Sequence, residues 1–172
     1  MAYFSLGARC LLGAVFLVSA FSKLRSRRAL DEFTASVRRL GRVPRRLARP
    51  VAVVVAAAEA LVPVLLVAPG PSGVGLALAT GLLGLFLVAI IGAMRRGSAE
   101  SCRCFGTSDT PLGLRHAIRN VVLMMIAALG IAGSSQPVPT GDAFVVAAGA
   151  LLAAVLVVML DDLMDLLAPI PR

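Results

Sequence analysis

Long apolar runs, separated by shorter polar connections, dominate the pattern along this 172-residue chain. Five runs, 2–21, 51–68, 74–94, 115–133 and 143–160, come close to the roughly 20 residues that a helix needs to cross the hydrocarbon core. Inside a bilayer the backbone must satisfy its own hydrogen bonds, so such runs predict helices. The pattern therefore predicts an all-α fold, a polytopic helical membrane bundle of about five transmembrane helices in one domain.

The composition supports a membrane protein and argues against other classes. Hydrophobic residues make up 59% of the chain, charged residues 15%, and the mean hydropathy is +0.92. Soluble globular chains carry more charge. The net charge of +8 could indicate nucleic-acid binding, but the basic residues lie between apolar runs and only 5% of the chain is aromatic. We expect a multi-pass protein of the cell membrane, in contact with the lipid bilayer and with no nucleic acid.

The connection 23–49 is the most basic part of the chain, with ten basic residues and two acidic ones. Within it Leu30, Phe33, Val37 and Leu40 recur at helical spacing, and arginines occupy the other faces. This spacing predicts a short amphipathic helix at the membrane interface after the first span. We interpret its charge as fixing the orientation of the protein, and binding of anionic lipids stays open as an alternative.

Arg9 and Glu59 are charged residues within the first two apolar runs, and Lys23 lies at the edge of the first. A carboxylate in hydrocarbon is costly unless it is paired or protonated, so Glu59 is a candidate functional residue. Arg9 lies about three residues, roughly 4.5 Å, from the centre of the first run, which makes it the expected partner of Glu59. We predict a pair that locks two helices, with a proton relay as the alternative.

Two of the three cysteines lie one residue apart in the polar connection 95–114, as Cys102 and Cys104. A disulfide between them would close a small, strained ring, which is easier to reduce and suits exchange better than stapling. Arg103 between them and the helix start that follows favour thiolate over thiol. We predict a redox or sulfur-handling site, although an inert pair of small apolar residues would give the same spacing.

His116 is the other candidate ligand near this pair. Cys102, Cys104 and His116 would supply three metal ligands, but no fourth is evident and the spacing fits no standard zinc site. We therefore predict no metal and expect His116 to lie at a helix start. The third cysteine, Cys10, lies inside the first run and is interpreted as a small residue at a helix contact.

Orientation follows from the distribution of lysine and arginine among the connections. With five spans, 23–49 and 95–114 share one side of the membrane with nearly all the basic residues, and the turns on the other side carry none. The positive-inside rule then predicts a cytoplasmic Cys-x-Cys connection. The alternative is that the first run is a signal peptide, because 18–20 resembles a cleavage site. Its removal would leave one span fewer and would place the later connections on the opposite side.

The order Cys102-x-Cys104-Phe105-Gly106, followed by Arg119-Asn120 at the opening of an apolar helix, resembles the methylamine-utilisation MauE family, part of a wider DoxX-like group of redox-associated membrane proteins. The resemblance implies a DoxX-like four-helix core. It also implies a factor that passes electrons or disulfides through the two cysteines to a thioredoxin-like or other thiol-bearing partner, in the maturation of methylamine dehydrogenase. The supporting residues that it implies are Arg103, Phe105, Gly106, His116, Arg119 and Asn120.

The residues fix no cofactor. A quinone is one candidate, because the arrangement is also similar to quinone-coupled disulfide-forming membrane enzymes. Whether the protein is an enzyme, a thiol-disulfide oxidoreductase, is left open by the sequence. The alternatives are a non-catalytic membrane scaffold or chaperone, or a small transporter, each with incidental cysteines.

Overall fold

The computed structural model describes residues 1–68, 72–96, 114–133 and 140–167, which form six helices and no strands. These are α1 (Ala2–Leu24), α2 (Arg27–Gly41), α3 (Arg45–Val67), α4 (Ser72–Arg95), α5 (Leu114–Ala132) and α6 (Thr140–Leu167). Within this part of the chain, all of them except α2 contain a stretch long and apolar enough to cross a membrane. The expected all-helical bundle with five candidate spans is confirmed.

Helix α1 lies at the centre of the bundle. It packs against α3, α5 and α6, while α4 completes the bundle between α3 and α5. Leu12, Val15 and Phe16 on α1 are fully buried, and they belong to one apolar core that extends to Leu83 on α4 and Leu123 on α5. The apolar side chains that point away from this core leave a surface suited to lipid.

Small residues on α4 and α5 allow two close helix contacts. A Cβ atom at Gly75 would lie 2.9 Å from Leu66 Cδ2, and one at Gly130 would lie 3.0 Å from the Cβ of Ala8. Gly81, also on α4, has nothing within 4 Å of such a Cβ. Close packing through glycine is therefore local, at α3–α4 and α1–α5.

Helix α2 is the predicted amphipathic helix. Its N-cap is Ser26, whose hydroxyl accepts a hydrogen bond from the Ala29 amide at 3.1 Å. The helix ends at Gly41, and its C-cap is Arg42, which has a left-handed backbone with φ of 51°. This is the conformation that terminates many helices, and it favours glycine. Phe33 is buried, so the apolar face of α2 lies against the bundle.

Helix α3 begins earlier than expected. The apolar run starts at Val51, but the helix starts at Arg45, directly after the extended residue Pro44. Pro50 is the sixth residue of the helix, beyond the first four amides that lack intrahelical partners, so it removes one helical hydrogen bond near the start of α3. The helix therefore carries three arginines into its polar beginning.

Successive spans run in opposite directions, which gathers particular segments at each end. One end, called the basic end here, holds α2, the C-terminal ends of α1 and α4 and the N-terminal ends of α3 and α5. Arg96 Nη2 donates to the carbonyl of Leu40 at 2.9 Å and joins α4 to α2 there. At the opposite end the Tyr3 hydroxyl donates to Asp142 Oδ2 at 2.9 Å and joins α1 to α6.

Candidate functional site

A buried ion pair links α1 to α3. Lys23 Nζ lies 2.7 Å from Glu59 Oε2 and 2.9 Å from Glu59 Oε1. The side chain of Lys23 is 2% exposed and that of Glu59 is fully buried. Charges so far from water persist only when they are paired and hydrogen-bonded, so this geometry accounts for a carboxylate within the second span.

Ser19 completes the pair from one turn earlier on α1. Its hydroxyl accepts a hydrogen bond from Lys23 Nζ at 2.6 Å and donates to Glu59 Oε1 at 3.2 Å. Side chains on a helix lean toward its N-terminus, so Lys23 reaches back over Ser19 into the bundle. The three side chains form one closed hydrogen-bonded network.

Two aromatic rings lie against the ammonium group of this network. The centroid of the Phe33 ring is 4.9 Å from Lys23 Nζ, and that of Phe86 is 5.9 Å away. Both lie within the distance at which a ring face attracts a cation. Phe33 comes from α2 and Phe86 from α4, so four helices surround the Lys23–Glu59 pair.

The prediction that Arg9 pairs with Glu59 was wrong. Arg9 donates instead to the carbonyl of Leu66, at 2.6 Å from Nη2 and 3.0 Å from Nε. The reason is the register of α1 against α3. Ser19 lies level with Glu59, and it is ten residues beyond Arg9, a rise of about 15 Å along the helix. Arg9 thus satisfies a C-terminal carbonyl of α3, where a cation also suits the helix dipole.

A second polar cluster lies at the start of α5. His116, Arg119 and Asn120 are each 8% exposed or less, and they face the interior of the bundle. Asn120 Nδ2 donates to the carbonyl of His116 at 3.0 Å. Asn120 Oδ1 is buried with no hydrogen-bond partner among the described residues. These side chains lie in the first two turns after the cysteine-bearing connection.

The predicted thiol pair and its neighbours, Cys102, Arg103, Cys104, Phe105 and Gly106, lie outside the described residues. The alternative of a metal site also depends on the two cysteines and stays a sequence-based alternative. Cys10 is described, and it is a half-buried free thiol on α1.

Comparison with known proteins bears on the first five helices. A family model described as "Methylamine utilisation protein MauE" matches residues 1–133. The chain belongs to the MauE family. The match includes the Lys23–Glu59 pair, the Cys-x-Cys connection and the polar start of α5, and it ends where α5 ends. No curated protein and no solved structure matches the chain.

As a MauE-family protein with five candidate spans, the chain is a multi-pass membrane protein. Sequence reasoning identified Lys23 as a polar residue of the membrane region but missed its role as the partner of Glu59, and it missed Ser19 and Phe86 altogether. The signal for Ser19 was its position four residues before Lys23 on the same helix face. Phe86 gave no signal, because an aromatic residue in an apolar span is ordinary.

Proposed function

We propose that this MauE-family protein is a membrane-bound thiol-disulfide exchange factor for protein maturation in methylamine utilisation. The observation that carries the proposal is the thiol pair Cys102-x-Cys104 in the connection between α4 and α5 of a chain of this family. Membership of the MauE family supports the metabolic context, and the chemistry of the cysteines supports the reaction class.

The proposed direction of the exchange is disulfide donation to the partner. A thiolate of a thioredoxin-like partner attacks one sulfur of the Cys102–Cys104 disulfide, which forms a mixed disulfide and releases the other cysteine as a thiolate. The second thiolate of the partner then attacks the mixed disulfide. The partner leaves oxidised and the pair is left as two thiols, so two electrons have moved and no further reactant is consumed.

The surroundings of the connection support this chemistry. Arg95 and Arg96 precede the cysteines, Arg103 separates them and Arg115 follows. Positive charge lowers the energy of a thiolate relative to a thiol, and the thiolate is the reactive form. The start of α5 adds the positive end of a helix dipole on the same side.

Trapping tests the exchange directly. In a Cys10→Ala background, Cys102→Ser and Cys104→Ser are expressed singly in the native host, and complexes sensitive to reductant are sought on non-reducing gels. At least one variant should accumulate a mixed disulfide with a thioredoxin-like protein, formed in the reverse direction when the remaining thiolate attacks the disulfide of the oxidised partner. The complex persists because the second cysteine of the pair, which would displace the partner, is missing. The double variant Cys102→Ser/Cys104→Ser is the matched control and should trap nothing. Failure of both single variants to trap, with function retained, would refute the exchange.

A non-catalytic scaffold or chaperone is the second candidate, favoured by the Lys23–Glu59 network, which joins helices without any evident reactive group. This candidate requires that Cys102→Ala/Cys104→Ala leave methylamine-dependent growth intact while Glu59→Gln abolishes it. The exchange factor requires that the cysteine double variant abolish growth. The two classes therefore give opposite results for the same variant.

The side of the membrane that carries the connection is a further part of the proposal. We expect the cytoplasmic side, because the basic end of the bundle carries the arginines of 23–49 and the positive-inside rule applies strongly to short connections. A membrane-impermeant maleimide, applied to intact cells in a Cys10→Ala background, should leave Cys102 and Cys104 unmodified until the cells are opened. Labelling of intact cells would reverse the orientation and place the partner outside the cytoplasm.

A further inference from the structure

A cavity of about 230 Å³ opens at the basic end between α2, α3 and α4. Its walls include Phe33 and Leu40 from α2, Val55 from α3, and Phe86 and Ala89 from α4. The rings of Phe33 and Phe86 also contact the ammonium group of Lys23, so the cavity and the buried ion pair share these two side chains. The MauE-type exchange proposed above makes no use of this cavity.

We propose that this cavity binds one acyl chain of an anionic phospholipid, with the headgroup phosphate held by arginines at the rim. The lining is apolar apart from Ser36, which suits a hydrocarbon chain. The volume is below the roughly 300–1,000 Å³ of typical small-molecule sites, so the cavity fits a length of chain and not a complete small ligand. Lipid surrounds the sides of a spanning bundle, so acyl chains are available to this cavity.

Charge at the rim specifies an anionic headgroup. Arg42 lies between Gly41 and Val43, two residues that line the cavity, and Arg96 reaches the carbonyl of Leu40 at its edge. Neither arginine forms an ion pair with a carboxylate among the described residues. A guanidinium group binds phosphate oxygens in pairs, and basic residues beside a span attract anionic lipids.

The lining also favours an acyl chain over a quinone ring. A quinone has two carbonyl oxygens that need hydrogen-bond donors when they are buried. Ser36 Oγ already donates to the carbonyl of Glu32 at 3.2 Å, and Lys23 is engaged by Glu59 and Ser19 beyond the two rings. Among the side chains of the described lining, no donor is left to face the cavity.

Native mass spectrometry of the whole protein tests the proposal. The protein is released from nanodiscs that contain equal amounts of dioleoyl phosphatidylglycerol and dioleoyl phosphatidylcholine, which share their chains and differ in headgroup charge. Wild type should retain one phosphatidylglycerol. Ala89→Phe fills the cavity and should lower the retained lipid about tenfold, because close-packed sites leave no room for both groups. Ala77→Phe, on an exposed part of the same helix, is the matched control and should retain lipid as wild type does.

The charge at the rim is tested separately. Arg42→Gln/Arg96→Gln should lower the ratio of phosphatidylglycerol to phosphatidylcholine by about fivefold or more, because each basic residue near the surface adds attraction for an anionic lipid. The control Arg25→Gln/Arg27→Gln removes the same charge from exposed positions at the other end of α2 and should leave the ratio unchanged.

Several results would overturn the proposal. These are equal retention of lipid by Ala89→Phe and Ala77→Phe, an equal loss of preference in both pairs of arginine variants, or a quinone or peptide as the retained molecule. If Ala89→Phe is not monodisperse on gel filtration, Ser36→Leu fills the same cavity from α2 and replaces it. The readout does not involve the cysteines, so its outcome is independent of the exchange reaction.

Discussion

Helix α1 is tied to α3 at two points that differ in chemistry. Toward the basic end the tie is an ion pair, Lys23–Glu59, almost completely buried and closed by Ser19. At the opposite end the tie is a charge on a neutral acceptor, Arg9 on the carbonyl of Leu66, and it is only partly buried. Both ties join the same two helices, and they differ in burial and in the type of acceptor.

The comparison separates two quantities: the net stability that a contact contributes, and the stability that is lost when one of its two partners is removed. A buried ion pair adds little net stability over apolar side chains, because desolvation offsets the attraction, but loss of one partner strands a charge. At Arg9 the remaining group would be a carbonyl near the end of a helix, where water or a neighbouring amide can replace the guanidinium. The two ties should therefore respond differently to mutation.

The largest effect is expected for Glu59→Gln, which preserves shape and removes the negative charge. The ammonium group of Lys23 is then buried without a counter-charge, and the free energy of unfolding should fall by about 3–5 kcal/mol. The measurement is SDS-induced unfolding in bicelles, with helical circular dichroism as the signal.

The matched control is Glu32→Gln, the same substitution in the exposed pair of Arg28 and Glu32 on α2. It should change the unfolding midpoint very little, because an exposed pair is screened by water. If Glu59→Gln were no more destabilising than Glu32→Gln, the buried pair would have no structural importance.

An intermediate effect is expected for Arg9→Met, which retains the aliphatic stem and removes both hydrogen bonds to Leu66. A loss of about 1–2 kcal/mol is expected, since hydrogen bonds from charged groups contribute modestly where solvent can substitute. Arg25→Met, at an exposed position just beyond α1, is the control and should behave as wild type. A loss as large as that of Glu59→Gln would mean that burial does not distinguish the two ties.

The smallest net effect is expected when both buried charges are removed together. Lys23→Met/Glu59→Leu leaves apolar side chains of similar length in the same space, and its stability should lie within about 1 kcal/mol of wild type. The same unfolding titration then yields a double-mutant cycle with Lys23→Met and Glu59→Leu as the single variants. A double variant as unstable as the singles would show that the site cannot repack.

Much of the architecture was accessible from the sequence, because hydrophobic periodicity and run length are set by the bilayer itself. The apolar spacing of Leu30, Phe33 and Val37 correctly predicted α2 and the face that packs on the bundle. The start of α3 was missed by six residues, because arginines within a helix interrupt an apolar run without interrupting the helix.

The site was less accessible, because pairing depends on register. The need of Glu59 for a partner follows from one residue in hydrocarbon, but the identity of the partner depends on how α1 slides against α3. Counting from the centre of each run placed Arg9 nearest, whereas the true register and the reach of the Lys23 side chain bring a residue near the end of α1 into the pair. The role of Cys102 and Cys104 remains a prediction, since they lie outside the described residues.

The separation of the buried pair along the chain has a consequence for biosynthesis. Lys23 is made 36 residues before Glu59, and at about 5–20 residues per second the ribosome needs roughly 2–7 s to cover that distance. During this interval α1 carries a cation with no counter-charge, and its long stem lets the ammonium group stay among the lipid headgroups. The group can be drawn inward only when the third helix arrives. The pair thereby sets an order of events in the membrane: the Lys23 ammonium group stays at the membrane surface until α3 has inserted and brings Glu59 beside it.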